Sequence, residues 1–357
     1  MLGMLAIEIL TSKHRQDWEV LASCEEATIF HTCAWEELLR LGCKDETPLY
    51  WGLFLDNELA AIWPTSVIHA FGGRILYSLP HSNFGAPLVK RDITVPLQEL
   101  VSHVSEAVMK RGVLHWSVDV PEDSPILGLI SRCGFQIAPA SSCTFTLDTR
   151  LDPNLLWERL NRDKRRNVRK AQREGLEVYE ATEREELFDY FGIYQSTMKR
   201  HHRKGVTCEF FDLLYELLVR EHKAMVLLAR KGNKTVAGIV LLLHNAKAYW
   251  WSGASLEDSW GVRPNELLIW HAVEWASNSG ISSLDLGPTP VEVDSGLNVF
   301  KRHFGAERTD LVRFTLPIHT LRDFMATTLV ASYRRLGKSK LFPQSLGGWL
   351  QSRFYFD

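Results

Sequence analysis

The chain reads as an α/β (α+β) protein made of two tandem copies of one unit, each a mixed sheet flanked by helices. Three observations predict this. A strand, polar turn and strand occur twice, about half a chain apart. The same succession of helix, strand, helix and strand follows each copy. With 357 residues, 45% of them hydrophobic, the chain can fill two cores of ordinary domain size.

The first strand pair runs from Tyr50 to Pro64 around the turn Asp56, Asn57, Glu58. Its counterpart runs from Met225 to Leu241 around Lys231, Gly232, Asn233, Lys234, and setting Leu59–Ile62 against Val236–Ile239 gives an offset of 177 residues. In the first half there follow a helix over 97–110, an apolar strand over 113–120, a helix over 126–132, the break Gly134-Phe135, and a strand ending at Phe145–Leu147. In the second half Pro264 opens a helix through Ser277, 281–286 is a strand, 297–303 a helix, Gly305 a break, and 313–316 the closing strand. These patterns place the domains at 1–149 and 150–318. A helical tail over 319–357 follows, with Leu321, Phe324, Met325 and Leu329 at helical spacing and Arg334, Arg335, Lys338 and Lys340 beyond. Docking onto the second domain is its simplest role; the alternative is peripheral contact with an anionic membrane surface.

Composition excludes several classes. Basic and acidic side chains number 41 and 43, so the surface as a whole cannot act as a nucleic-acid coat, and no DNA partner is expected. The six cysteines show no C-x-x-C pair, and no H-x-x-x-H or paired-carboxylate spacing occurs, so they read as reduced thiols and no metal is expected. Neither G-x-S-x-G nor a phosphate-binding G-x-x-x-x-G-K-[ST] loop is present, which argues against hydrolase and nucleoside-triphosphatase chemistry. Glu8 interrupts the apolar N-terminus, and the longest apolar run, Val236–Leu243, is far short of the roughly 20 residues that span a bilayer. A cytoplasmic location is the expectation.

Two segments carry chemistry. From Asp152-Pro153 to Gly175 the pattern predicts a single helix with Leu156, Trp157, Leu160, Val168 and Ala171 on one side. Arg162, Arg165, Arg166, Arg169 and Arg173 fall on the other, within an arc of about 100°. Residues 150–173 hold 9 basic and 3 acidic side chains, so the net −2 is +6 here and −8 elsewhere. A solvated charged face is the bland reading, but like charges at i,i+4 cost about 0.2–0.5 kcal/mol each. The stripe therefore points to a polyanion, and arginine forks suit phosphate. The second segment, Gly296 to Gly305, places Lys301 just after Phe300 at the end of a short helix, where a lysine ordinarily serves the helix dipole.

Together these segments resemble the peptidoglycan-bridge aminoacyltransferase (Fem) family and the wider group of tandem acetyltransferase-like (GNAT-type) proteins. The matching residues are Arg165, Asn167, Val168, Lys170 and Ala171; Pro264, Asn265, Leu267, Leu268, Trp270, Trp275 and Ala276; Ser283 to Gly287; and Phe300, Lys301, Phe304 and Gly305. In the first half Ser82, Asn83, Phe84, Gly85, Ala86 and Pro87 resemble the family's acceptor-pocket loop. The resemblance implies two GNAT domains with the acceptor between them and acyl transfer to an amine. Arg165, with Arg162, Asn167 and Arg169 beside it, would hold an acceptor phosphate. Asn83, Phe84, Gly85 and Phe300 would line acceptor pockets. Lys301 would stabilise the charge developed in acyl transfer, with backbone donors from 249–255 and 285–287. Asp285 would orient or deprotonate the amine, or cap the turn that follows it.

The implied donor is either aminoacyl-tRNA or acyl-CoA, with no tightly bound cofactor. The acceptor would be a phosphate-bearing small molecule or a lipid-linked cell-envelope precursor. At the position of the acyl-CoA enzymes' pyrophosphate loop, Gly261–Glu266 puts Pro264 where an amide donor would be, and no heptad run supplies a tRNA-binding arm. Two alternatives stay open: an acyl-CoA N-acetyltransferase of exopolysaccharide or small-molecule metabolism, and an inactive phosphate- or RNA-binding protein on the same fold. His201-His202 reads as an exposed loop.

Overall fold

The computed structural model describes residues 4–70, 73–82, 85–91, 93–139, 142–292 and 296–319. Its contacts separate into two compact units: residues up to Ser141 joined by those from Leu311 on, and Ser142–Asp310. The expected borders at 149/150 and 318 thus move, for a reason that lies in two strands described below. The expected tail, beyond His319, lies outside the described residues.

In the first unit the order is β1 (Leu5–Ile9), α1 (Arg15–Ala22), α2 (Cys33–Gly42), β2 (Glu46–Leu55), β3 (Glu58–Ala70), β4 (Gly73–Ser78), β5 (Leu88–Val89), α3 (Leu97–Met109), β6 (Val113–Pro121), α4 (Leu127–Arg132) and β7 (Gln136–Ala138). The hairpin β2/β3 forms where the sequence predicts it, because Asp56 and Asn57 both adopt positive φ, which a tight two-residue hairpin turn requires. β4 then pairs parallel with β6. The core gathers Trp63, Trp116 and Phe135, with ring centroids 4.5–5.9 Å apart, under the apolar face of α3.

The second unit continues with β8 (Ser142–Asp148), α5 (Pro153–Arg159), α6 (Arg162–Arg173), β9 (Leu176–Glu180), α7 (Arg184–Arg200), α8 (Cys208–Leu214), β10 (Ala224–Lys231), β11 (Lys234–His244), β12 (Lys247–Ser255), α9 (Pro264–Asn278), β13 (Ser283–Asp285), β14 (Thr289–Pro290), α10 (Gly296–Arg302) and β15 (Glu307–Pro317). The repeat is plain in the pairing. Hairpin β10/β11 answers β2/β3, and the parallel pair β12/β13 answers β4/β6.

The closing strands are exchanged. β8, expected to end the first half, pairs antiparallel with β13 and β14 in the second unit. The C-terminal part of β15, Leu311–Pro317, pairs with β6 and β7 in the first, while Glu307–Asp310 pair with β8. Alternating side-chain patterns specify that a strand forms and which face it buries, but not which copy of a repeated sheet receives it.

The predicted single helix over 153–174 is two. Leu160 takes an extended backbone (ψ 140°), and Asn161 caps a new helix by accepting the Asp163 amide at 2.9 Å. All five arginines of the stripe fall on α6, which buries Lys164, Val168 and Ala171. Leu156 and Trp157 belong to α5, and Leu160 ends it.

Candidate functional site

The feature that builds a site in the second unit is the place where two parallel strands part. β12 and β13 pair through Lys247↔Ser283, Ala248↔Leu284 and Tyr249↔Asp285, and there the parallel ladder ends. On β12 a bulge follows at once, because Leu241 faces Trp250 while Val240 faces Ser252. On the other side Gly287 turns with φ 80°, and a β-carbon there would sit 2.9 Å from the Trp250 carbonyl oxygen. Only glycine allows that approach.

Lys301 reaches this gap. Its side chain is 2% exposed, its ammonium donates to the Gly287 carbonyl at 2.6 Å, and it lies 5.6 Å from the centre of the Trp250 ring. Asn298, three residues earlier on α10 and wholly buried, anchors the helix by donating to the Pro290 and Glu292 carbonyls at 2.8 and 2.6 Å. Residues three apart share a helix face, so this anchor points Lys301 inward as well. Asp285, 5% exposed, accepts from the Gly287 amide at 2.6 Å and from the Thr144 hydroxyl at 3.0 Å. Its turn-capping arrangement is therefore present, and its charge also faces the lysine.

Burial pushes the Lys301 ammonium down from its ordinary 10.5 to about 8, against the attraction of Asp285 and Cys143. Tyr249, also buried, has its hydroxyl pushed up by desolvation and by Asp285. The lysine shift has a stability consequence. Between about pH 8 and 10.5 the unfolded chain holds a proton the folded one has released, so stability rises with pH across that window. The penalty is present in full below pH 8 and gone above 10.5, and it amounts to roughly 3 kcal/mol. In Lys301→Met this slope should vanish; chemical denaturation at pH 7.5 and 10 checks it, and an unchanged slope would rule out the buried, destabilised ammonium.

The other sequence-predicted residues divide. Asn167 donates to the Glu266 carboxylate at 3.0 Å, which also takes the buried Lys164 ammonium at 3.3 Å. Lys164 lies 3.7 Å above the Phe300 ring. Asn167 and Phe300, both half-buried, are thus tied to one buried charge cluster. Arg162 is exposed and Arg165 partly so, and neither has an ion pair among the described residues. Arg169 stacks over Trp157 at 5.4 Å and lines a cleft of about 280 Å³ with Trp270 and Glu274.

Asn83 and Phe84 lie outside the described residues. Gly85, in the first unit, packs so tightly on the Ser78–Leu79 backbone that a β-carbon would come within 2.3 Å of the Ser78 carbonyl carbon. Close packing explains that glycine without a ligand.

Thr144, Trp250, Asn298, Lys164 and Glu266 were not among the predicted residues. The N-x-x-K spacing of Asn298 and Lys301 was the one local signal available; Thr144, Lys164 and Glu266 meet their partners across more than 90 residues of sequence, and Trp250 meets Lys301 across 51. The expectation of no metal rested on local spacing alone, which does not register that the fold brings Cys43, Glu46 and His81 together in the first unit. At the start of α9, Pro264 occupies the first helical turn, where its missing N–H removes no helical hydrogen bond. The helix therefore starts normally, but its first turn still offers one amide donor fewer to a bound pyrophosphate.

With this geometry in place, residues 159–302 match the family model of the acetyltransferase (GNAT) domain, a span that contains both the arginine helix and Lys301. No curated protein matches the chain. Among solved structures it is similar to FemX (15% identity, TM-score 0.70, covering 90% of this chain and 100% of that one). It is also similar to L-PGS from Bacillus licheniformis (12%, 0.60, 93% and 99%). A third similar structure is a tandem GNAT protein from the clavulanic acid biosynthesis pathway (11%, 0.57, 88% and 99%). At these identities the likeness is one of fold, and the fold is two GNAT units in tandem. No helix among the described residues is long and apolar enough to cross a membrane.

Proposed function

We propose that this GNAT-fold chain is an acyltransferase that moves an acyl or aminoacyl group to the amine of a phosphate-bearing acceptor, with Lys301 at the reacting centre. The observation that carries the reading is the buried ammonium set between parting strands, with one hydrogen bond to Gly287. An amine attacking an ester or thioester carbonyl turns its oxygen into an oxyanion; collapse of that intermediate expels the alkoxide or thiolate, which leaves with the proton the amine gives up. A fixed cation in a water-poor setting stabilises the oxyanion by about 3–4 kcal/mol. With its pKa near 8, Lys301 is mostly charged at neutral pH and fit for that part. Asp285 positions it, through the Gly287 turn and through its own charge.

Arg162 and Arg165 on α6 supply the phosphate contact, and a lipid-linked acceptor is in keeping with a further fold relative described as a putative lysylphosphatidylglycerol synthetase. Arg165→Ala should raise the KM for a phosphate-bearing acceptor by about 10-fold or more with kcat changed less, since a charge-assisted hydrogen bond contributes about 1.5–3 kcal/mol. Steady-state kinetics against acceptor with and without its phosphate checks it; equal KM values would remove Arg165 from the site.

A second reading, an acyl-CoA N-acetyltransferase, is favoured by the acetyltransferase description of the matching family model. Mass spectrometry of amine and nucleotide-sugar acceptors incubated with the protein and either acyl-CoA or charged tRNA separates the two. Product with neither donor, together with salt-sensitive phosphate binding, would leave the inactive binding protein instead.

A further inference from the structure

The first unit holds a side-chain cluster that the acyl-transfer reading does not use. Cys43 follows the last turn of α2, Glu46 opens β2 three residues later, and His81 lies in the turn after β4. A backbone hydrogen bond from the Glu46 amide to the Cys43 carbonyl closes the Cys43–Glu46 turn. One thiol sulfur, one carboxylate oxygen and one imidazole nitrogen from these residues all lie within 4.8 Å of one another. His81 Nε2 is 2.8 Å from one Glu46 oxygen. The other, Oε2, is buried with no hydrogen-bond partner, on a side chain only 5% exposed. That orphan oxygen is the observation an ordinary His–Glu ion pair leaves unexplained, since the imidazole serves only one of the two acceptors.

We infer that Cys43, Glu46 and His81 bind a zinc-class divalent cation that staples the turn after β4 to the junction of α2 and β2. The donor set decides the class. A thiolate excludes magnesium and calcium, whereas one sulfur, one imidazole and one carboxylate with water in a fourth place suit zinc. Tetrahedral ligation at about 2.0–2.3 Å sets donor atoms roughly 3.3–3.8 Å apart, so small side-chain rotations bring the cluster from its present spacing to a bound one. On binding, the thiol and the imidazolium paired with Glu46 each give a proton to solvent, and thiolate and carboxylate together balance the two charges of the cation. The metal thus enters without leaving net charge buried. A cleft of about 230 Å³ lined by Lys44, Asp45, His69, Arg74 and Arg111 borders Glu46 on its outer side.

The test uses the full-length chain, stripped with chelator and titrated with Co2+. The wild type should take up about one Co2+ per chain, with a thiolate-to-cobalt charge-transfer band and tetrahedral d–d bands that Zn2+ abolishes. Cys43→Ser and His81→Ala should each weaken binding by roughly 100-fold or more. Cys208→Ser, which removes an exposed thiol, should leave it unchanged. Circular dichroism of each metal-free variant confirms folding, and Glu46→Gln, which keeps shape and removes charge, replaces any variant that fails to fold. No saturable uptake by the wild type, or charge-transfer bands that persist without Cys43 or His81, would overturn the site.

Discussion

Lys301→Ala should lower turnover by about 100-fold or more while the protein keeps its circular dichroism and does not lose melting temperature. The rate effect follows from removing a fixed positive charge where the proposed reaction develops an oxyanion, a loss of about 3–4 kcal/mol. The intact fold follows from the same burial, because desolvation outweighs the attraction of Asp285 and the ammonium is held against its preference. Lys301→Arg sharpens the test. A guanidinium stays charged at any pH, but its planar fork does not reproduce the single 2.6 Å bond to the Gly287 carbonyl. If it retains partial activity, the fall in rate expected for the wild type as pH rises through about 8 should disappear. A Lys301→Ala protein with near-normal kcat would remove the lysine from catalysis and with it the proposed reacting centre.

Asp119→Ala should cost about 3–5 kcal/mol of stability. Asp119, on β6 and 6% exposed, accepts two hydrogen bonds at 2.7 Å from Arg313 on β15 and one from the Tyr77 hydroxyl on β4. The carboxylate and the tyrosine hold the Arg313 guanidinium charged despite burial, and burial with the neighbouring carboxylate pushes the Tyr77 hydroxyl up. Deleting the acid leaves a buried cation without its counter-charge. Replacing both partners, as in Asp119→Leu with Arg313→Met, should recover most of the loss, because the cost comes from the widowed charge rather than from the pair itself. Denaturant midpoints of the two singles and the double give the coupling; additive losses would show that the network is only a set of separate contacts. The pair also explains how the late strand β15 is fastened where no local pattern would place it.

Much of the fold was legible because its signals are local. The Asp56-Asn57 turn, the Lys231–Lys234 turn, the helix opened at Pro264 and the break at Gly305 each follow from backbone preferences of a few residues. Lys301 was legible only through family resemblance, since a lysine ending a short helix is usually a dipole partner. The break at Asn161 did not show in the pattern, because a capping side chain inside a run of good helix formers competes with helix continuation, and periodicity does not register that competition.

By itself, then, the sequence determined two copies of one α/β unit, a concentrated basic helix in the second, and the residues at its two chemical segments. The tertiary structure decided which unit each closing strand joins, and it tied the half-buried Asn167 and Phe300 to a buried Lys164–Glu266 pair while leaving Arg162 exposed and Arg165 half-exposed. It also assembled Lys301 with Asp285 and Thr144, and Cys43 with Glu46 and His81. The division has one physical reason. Periodicity and turn chemistry act over a few residues, whereas desolvation, charge pairing and strand partnership depend on groups that only folding brings within a few ångströms of each other.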